Sequence, residues 1–137
     1  MGKYFSIVEL TASGEARRRG IDNTPPPEVK VKLNTLITRL LDPIRELWGG
    51  PITVTSGFRS PVLNKAVKGV PSSQHIKGEA ADITVGSPDK NRKLFELIFS
   101  SGLEFDQLID ESGVNKIPYS WIHVSYSVKN RKQVLHL

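Results

Sequence analysis

Ser73-Gln74-His75-Ile76-Lys77-Gly78-Glu79-Ala80-Ala81-Asp82-Ile83-Thr84-Val85 is the stretch that organises this chain. From Ala80 to Val85 it alternates. Ala81, Ile83 and Val85 fall on one side and Asp82 and Thr84 on the other, the period of a strand with one face in a core. A second segment, Ile122 to Val128, repeats the pattern, with Ile122, Val124 and Tyr126 inward and His123, Ser125 and Ser127 outward. If the two strands are neighbours, Asp82 and His123 share a surface. His75 stands on a loop over residues 70–78, and Gly78 and Ala80 keep that approach free of bulk. Two histidines and a carboxylate form a candidate zinc triad. Three protein ligands with one open position is the arrangement of a catalytic zinc. The chain has no cysteine, which excludes a cysteine-based structural site.

Working outward, residues 4–24 read as irregular with one short helical piece around Ile7 to Arg19. Thr24 before Pro25-Pro26-Pro27 reads as an N-cap followed by prolines at positions where a missing N–H costs nothing. Val29, Leu33, Leu36, Ile37, Leu40, Leu41, Ile44 and Leu47 recur at helical spacing, and Pro43 predicts a kink or break near Leu41. Ile52 to Thr55 reads as a strand, Pro61 to Val67 as a short helix, and Ser87-Pro88 as the start of another helix. That helix buries Leu94, Phe95, Ile98 and Phe99. Phe105 to Asp110 and Gln133 to Leu135 read as further strands. The order predicts an α+β fold with a small, mostly antiparallel sheet and flanking helices.

At 137 residues the chain is expected to be one domain, residues 1–137, with an ordinary hydrophobic content of 38%. No apolar run is long enough to span a bilayer, so membrane insertion is not expected. The N-terminus Met1 to Ser6 lacks the apolar segment of a secretory signal, so synthesis in the cytoplasm is expected, with release or delivery needed for action elsewhere. A formal charge of +5 suits an anionic partner surface. The densest basic runs, Arg17 to Arg19 and Lys129 to Lys132, lack interleaved aromatics and read as solvated surface, so nucleic acid is not the expected partner. A monomer is expected.

Ser73-x-His75-x-x-Gly78-x-Ala80-x-Asp82, followed by Trp121-x-His123, closely resembles the zinc D-alanyl-D-alanine peptidases. These comprise carboxypeptidases, dipeptidases and phage L-alanyl-D-glutamate endopeptidases, and they share a fold with the hedgehog signalling domain. Ser56-Gly57-Phe58-Arg59-Ser60-Pro61-x-x-Asn64 is similar to the family's other signature. Tyr4-Phe5-Ser6 through Pro26 looks like the compact phage and prophage branch. The resemblance covers nearly the whole chain and implies a hedgehog/DD-peptidase-like fold. It implies zinc as cofactor, a peptidoglycan stem peptide as partner, and His75, Asp82 and His123 as the metal ligands.

By the same resemblance Arg59 steadies the substrate carbonyl or the developing oxyanion, and so counts as both a catalytic and a substrate-binding candidate. Ser73 and Gln74 lie near the metal and are candidates for binding substrate. Ser56 is expected in a turn, and Asn64 is expected to pin the loop around Arg59. The better-known members carry a glutamate three residues before the last histidine, where this chain has Ser120. Glu111, just after the third strand, is the preferred general base and Asp106 the second candidate. Glu79 is adjacent in sequence, but its odd spacing from Asp82 turns it to the opposite side. Trp121 and Tyr126 are expected in the core or the cleft wall, and His136 simply exposed. Two functions compete: a zinc peptidase cutting the stem peptide, of carboxypeptidase or endopeptidase type, and a zinc-binding recognition module of the same fold without turnover.

Overall fold

The computed structural model describes residues 2–137. Five strands form a single sheet in the order β1-β2-β4-β3-β5, where β1 is Thr53–Ser56, β2 Ala80–Thr84, β3 Gln107–Glu111, β4 Trp121–Ser125 and β5 Gln133–His136. All neighbours are antiparallel except β3 and β5, which run parallel. This is the expected α+β arrangement with a mostly antiparallel sheet.

Alternation decides what each face of the sheet does. Ala81 and Ile83 of β2, Ile122 and Val124 of β4 and Leu108 of β3 share the fully buried face. Against it pack the helix α3 (Pro27–Leu36), α4 (Asp42–Trp48) and α7 (Pro88–Ser100), through Leu33, Leu36, Ile44, Leu94, Phe95 and Ile98. Each such Leu or Ile contributes about 1.5 to 3 kcal/mol by leaving water. The opposite face of β2, β4 and β3 is left for chemistry.

Several local expectations are corrected. The N-terminal segment holds two helices, α1 (Ile7–Thr11) and α2 (Gly14–Arg19), each capped by a serine, Ser6 and Ser13. Thr24 does not cap α3: its hydroxyl donates to Asp22 at 2.7 Å, and the capping position is Pro26, without a side-chain bond. A residue before proline is held in extended backbone, so the helix cannot start until Pro27. Pro43 does not end the helical run, which continues from Pro27 to Trp48, but the irregularity expected near Leu41 is present. A π-helical turn, Ile37–Leu41, precedes the proline, and the Asp42 N–H reaches back to the Ile37 carbonyl. The extra residue widens the turn and relieves the clash a proline ring makes with the carbonyl four residues back.

Phe99 is 63% exposed. At 100° per residue it lies about 90° from the centre of the stripe formed by Asn91, Leu94, Phe95 and Ile98. Tyr119 and His136 both stack on Phe95, with ring centroids 5.4 and 5.3 Å away. His136 is exposed, as expected, and its ring nitrogen lies 3.1 Å from the Asp110 carboxylate. Among the described residues no helix is long and apolar enough to cross a membrane.

Candidate metal centre

β2 and β4 pair so that Asp82 stands directly opposite His123. Their side chains meet on the face away from the helices, with Asp82 Oδ1 3.0 Å from His123 Nδ1. His75 is on a one-turn helix, α6 (Gln74–Lys77), where an open loop was expected. Ser73 caps this turn by accepting the His75 N–H at 3.1 Å, and Gly78 ends it in the left-handed conformation. A Cβ on Gly78 would meet the Val29 side chain at 2.8 Å, so only glycine lets the turn lie this close to α3.

His75 Nε2 lies 3.4 Å from Asp82 Oδ1. One ligand atom from each of the three residues falls within 4.8 Å of the others. Two atoms each about 2.0 to 2.1 Å from a tetrahedral zinc stand about 3.3 Å apart, so the spacings of 3.4 and 3.0 Å suit a shared ion. The donor set is two imidazole nitrogens and one carboxylate oxygen, the composition zinc takes in catalytic sites.

The other nitrogen of His75 is occupied. Nδ1 lies 2.7 Å from the Gly57 carbonyl, which fixes the proton there and leaves the Nε2 lone pair for a ligand. Asp82 is nearly buried. Burial pushes its carboxyl up, but the hydrogen bonds and charges of His123 and His75 outweigh this and hold it well below the usual carboxylate range.

Glu111 is the last residue of β3, not a residue beyond it. It shares the open face of its strand with Gln107 and Ile109, and all three line the same cleft as the triad. Burial raises its carboxyl above the ordinary value, as does the charge of Asp82, while His123 and His75 oppose the rise. Ser120 lies beside this acid. Its N–H donates to the Glu111 carbonyl at 3.0 Å, so the two positions are neighbours across the ladder. The Ser120 hydroxyl itself is engaged by the carbonyls of Ile117 and Ser112.

Arg59 enters from the loop after β1 and lines the cleft with its guanidinium. Burial lowers its pKa, and the charges of Asp82 and Glu111 act in the opposite direction. Its Nε is buried with no hydrogen-bond partner. Arg59 N–H donates to the His75 carbonyl at 3.1 Å, tying the arginine loop to the turn that carries His75. Asn23 holds this loop, donating to the Phe58 carbonyl and accepting the Ser60 N–H, a role expected of Asn64. Asn64 binds the Val70 carbonyl instead, securing the opposite end of α5 (Pro61–Ala66).

Asp106 is no base. Its carboxylate accepts from Arg131 N, Nε and Nη2 and from Gln74 Nε2, at 2.8 to 3.1 Å. Chiefly the Arg131 side chain, against burial, holds it at about 2. This pair also shows that Arg131 is not simply solvated charge. Gln74 therefore braces the turn that carries His75 against Asp106 while lining the cleft. Glu79 lines this cleft too, contrary to its expected side. It precedes β2, so strand alternation does not govern it, and Lys32 and Gln74 hold its carboxylate. Trp121 is a wall of the cleft, with its indole N–H buried and unpartnered. Gly57, Asn23 and this indole N–H carried no signal in the sequence that marked their roles.

Over 58 residues the chain is 43% identical to the zinc D-Ala-D-Ala carboxypeptidase of Streptomyces albus G. That similarity covers 41% of this chain and 23% of the relative's length. A peptidase M15 family model matches residues 3–125, a span that takes in the Arg59 loop, α6, Glu111 and all three triad residues. With its triad, its acid and its arginine inside that span, the chain belongs to the peptidase M15 family.

Proposed function

We propose that this chain is a zinc peptidase that hydrolyses a peptide bond in the peptidoglycan stem, of D-Ala-D-Ala carboxypeptidase or endopeptidase type. The observation that carries the reading is the convergence of the His75–Asp82–His123 triad, Glu111 and Arg59 on one cleft of about 780 Å³. His75 Nε2, Asp82 and His123 Nδ1 would hold the ion. Zinc so held supplies Lewis acidity and lowers the pKa of water toward neutrality. Glu111 takes the proton of the attacking water on its carboxylate and returns it to the leaving amine. Its raised pKa favours the first transfer, because it makes the carboxylate a stronger base. Arg59 directs its free donor to the substrate carbonyl oxygen, where charge develops. Trp121 and Ile109 wall the cleft and exclude bulk water around these groups. The net charge of +5 favours approach to an anionic wall.

Purified protein supplied with zinc and cell-wall material releases new amino termini, and His123→Ala abolishes the release. Release that survives this change overturns the mechanism. The second reading, a zinc-binding recognition module without turnover, rests on Ser120 standing where a carboxylate is expected. Glu111→Gln separates the two. Under the peptidase reading it removes turnover while zinc stays bound.

A further inference from the structure

The turn that carries His75 is only four residues long, far below the length at which a helix holds itself in water. Its place must therefore come from what it is tied to. On the β1 side two bonds hold it: His75 Nδ1 meets the Gly57 carbonyl, and the His75 carbonyl accepts the Arg59 N–H. On the β3 side the tie is a side chain, Gln74.

Gln74 is the middle of a polar chain that crosses four elements. Its Nε2 donates to Asp106 Oδ2 at 2.8 Å and to Glu79 Oε1 at 3.3 Å. Lys32 of α3 closes the Glu79 end at 3.4 Å, and Arg131, in the connection from β4 to β5, closes the Asp106 end at 2.8 Å. Both amide protons thus go to carboxylates, while Oε1 is buried without a partner. A neutral amide can bridge two acids in this way, and a glutamate there would add a third negative charge.

The two ends of the chain are unequal. Lys32 and its pairing with Glu79 lie near the surface, where such contacts are weak. Asp106 is 2% exposed, and its backbone is fixed by the Ser125 carbonyl and the Gln133 N–H. Arg131 binds both of its carboxylate oxygens. Asp106 is therefore a fixed anchor, and Gln74 transfers its position to the residue next in sequence, His75.

We propose that Gln74, anchored by Asp106 and Arg131, is a positioning residue for His75 and not a contact for substrate. The proposal rests on the zinc reading of the triad given above. Holding His75 in place before the ion arrives spares binding the cost of ordering the turn.

The test is calorimetric titration of the metal-free protein with zinc, at a temperature where circular dichroism shows every variant folded. Gln74→Met keeps the reach of the side chain and removes both donors, and zinc affinity falls about tenfold. Arg131→Met, which alters no triad residue, lowers it about threefold. Gln74→Met combined with Asp106→Asn binds zinc no more weakly than Gln74→Met alone, because both changes break one chain. The visible absorption band of cobalt-loaded Gln74→Met shifts from that of the wild type. At saturating zinc, KM for stem peptides stays within about twofold of the wild type and kcat carries the loss. Zinc affinity equal to the wild type in both single variants overturns the assignment, whatever their thermal stability. A raised KM with unchanged zinc affinity overturns it too and makes Gln74 a substrate contact. Wild-type protein that takes up zinc but cleaves neither stem peptides nor purified peptidoglycan overturns the peptidase reading alone, and wild-type protein that takes up no zinc overturns both.

Discussion

His75 and Gly57 are joined by a 2.7 Å hydrogen bond from the imidazole Nδ1 to the backbone carbonyl. The bond sets which nitrogen of His75 faces Asp82. Gly57 can make it only because it has no side chain, since a Cβ there would overlap the Leu10 carbonyl. Gly57→Ala should push this carbonyl out of place. Loss of such a supporting partner costs about 10- to 100-fold in metal affinity. Calorimetric zinc titration checks it, and affinity equal to the wild type would refute the role of the carbonyl.

Glu111→Gln keeps the size of the side chain and removes the base. Turnover should fall by about 10²- to 10⁴-fold. Zinc content by atomic absorption should stay at the wild-type level, because Glu111 is not one of the three clustered ligand residues. Asp106→Asn should not reproduce this loss, since that carboxylate is already engaged by Arg131 and Gln74.

Asp106 also predicts a pH dependence of stability. Arg131 holds it at about 2 in the folded chain, against an ordinary 3.8. A depressed carboxyl pKa favours the folded state above the unfolded value, and the contribution is lost as pH falls through the folded value. Asp106→Asn should therefore lower stability by about 1 to 2 kcal/mol at pH 7, a modest figure because Arg131 is half exposed and screened. Urea unfolding of both proteins should show the gap constant above about pH 4 and closing toward pH 2. A gap of the same size at both pH values would contradict the pairing.

Asn91 is fully buried on α7 and uses its whole amide. Oδ1 accepts from Val85 N–H at 2.8 Å and from the Thr84 hydroxyl at 3.1 Å. Nδ2 donates to the carbonyls of Tyr119 and Ser120 at 2.9 and 3.3 Å. The residue thus joins the end of β2 to the strap entering β4. Asn91→Ala leaves these groups unpaired in the interior and should cost about 3 kcal/mol, on the order of 10 °C in Tm. A Tm within about 2 °C of the wild type would show the strap to be held otherwise.

Much of the sheet was legible because its strands are buried on one face only. Alternation in Ala81-Asp82-Ile83 and in Ile122-His123-Val124 predicts that Asp82 and His123 leave the core together, and their direct pairing bears this out. What alternation could not reach lay outside the strands. Glu79 sits one residue before β2, where parity has no force, and was assigned the wrong side. The turn carrying His75 is four residues long, too short for periodicity to register. Tertiary partners were invisible for a different reason. The link from Arg131 to Asp106 spans 25 residues, and that from Asn23 to Phe58 spans 35. The candidate base at Glu111 was found as an acid at a strand end. Its closeness to Ser120 across the ladder emerged only with the register.

Asp82 and His123 are 41 residues apart in sequence and meet only once β2 and β4 have zipped together. An unfolded chain holds no such pair at fixed distance, so an ion bound there is a ligand of the native ensemble alone. At free zinc one hundred times its dissociation constant, mass action would deepen the native well by about 2.7 kcal/mol. Metal supply then governs persistence as well as chemistry. A chain starved of zinc unfolds more readily and is exposed to degradation, and heating curves with and without added metal would show it.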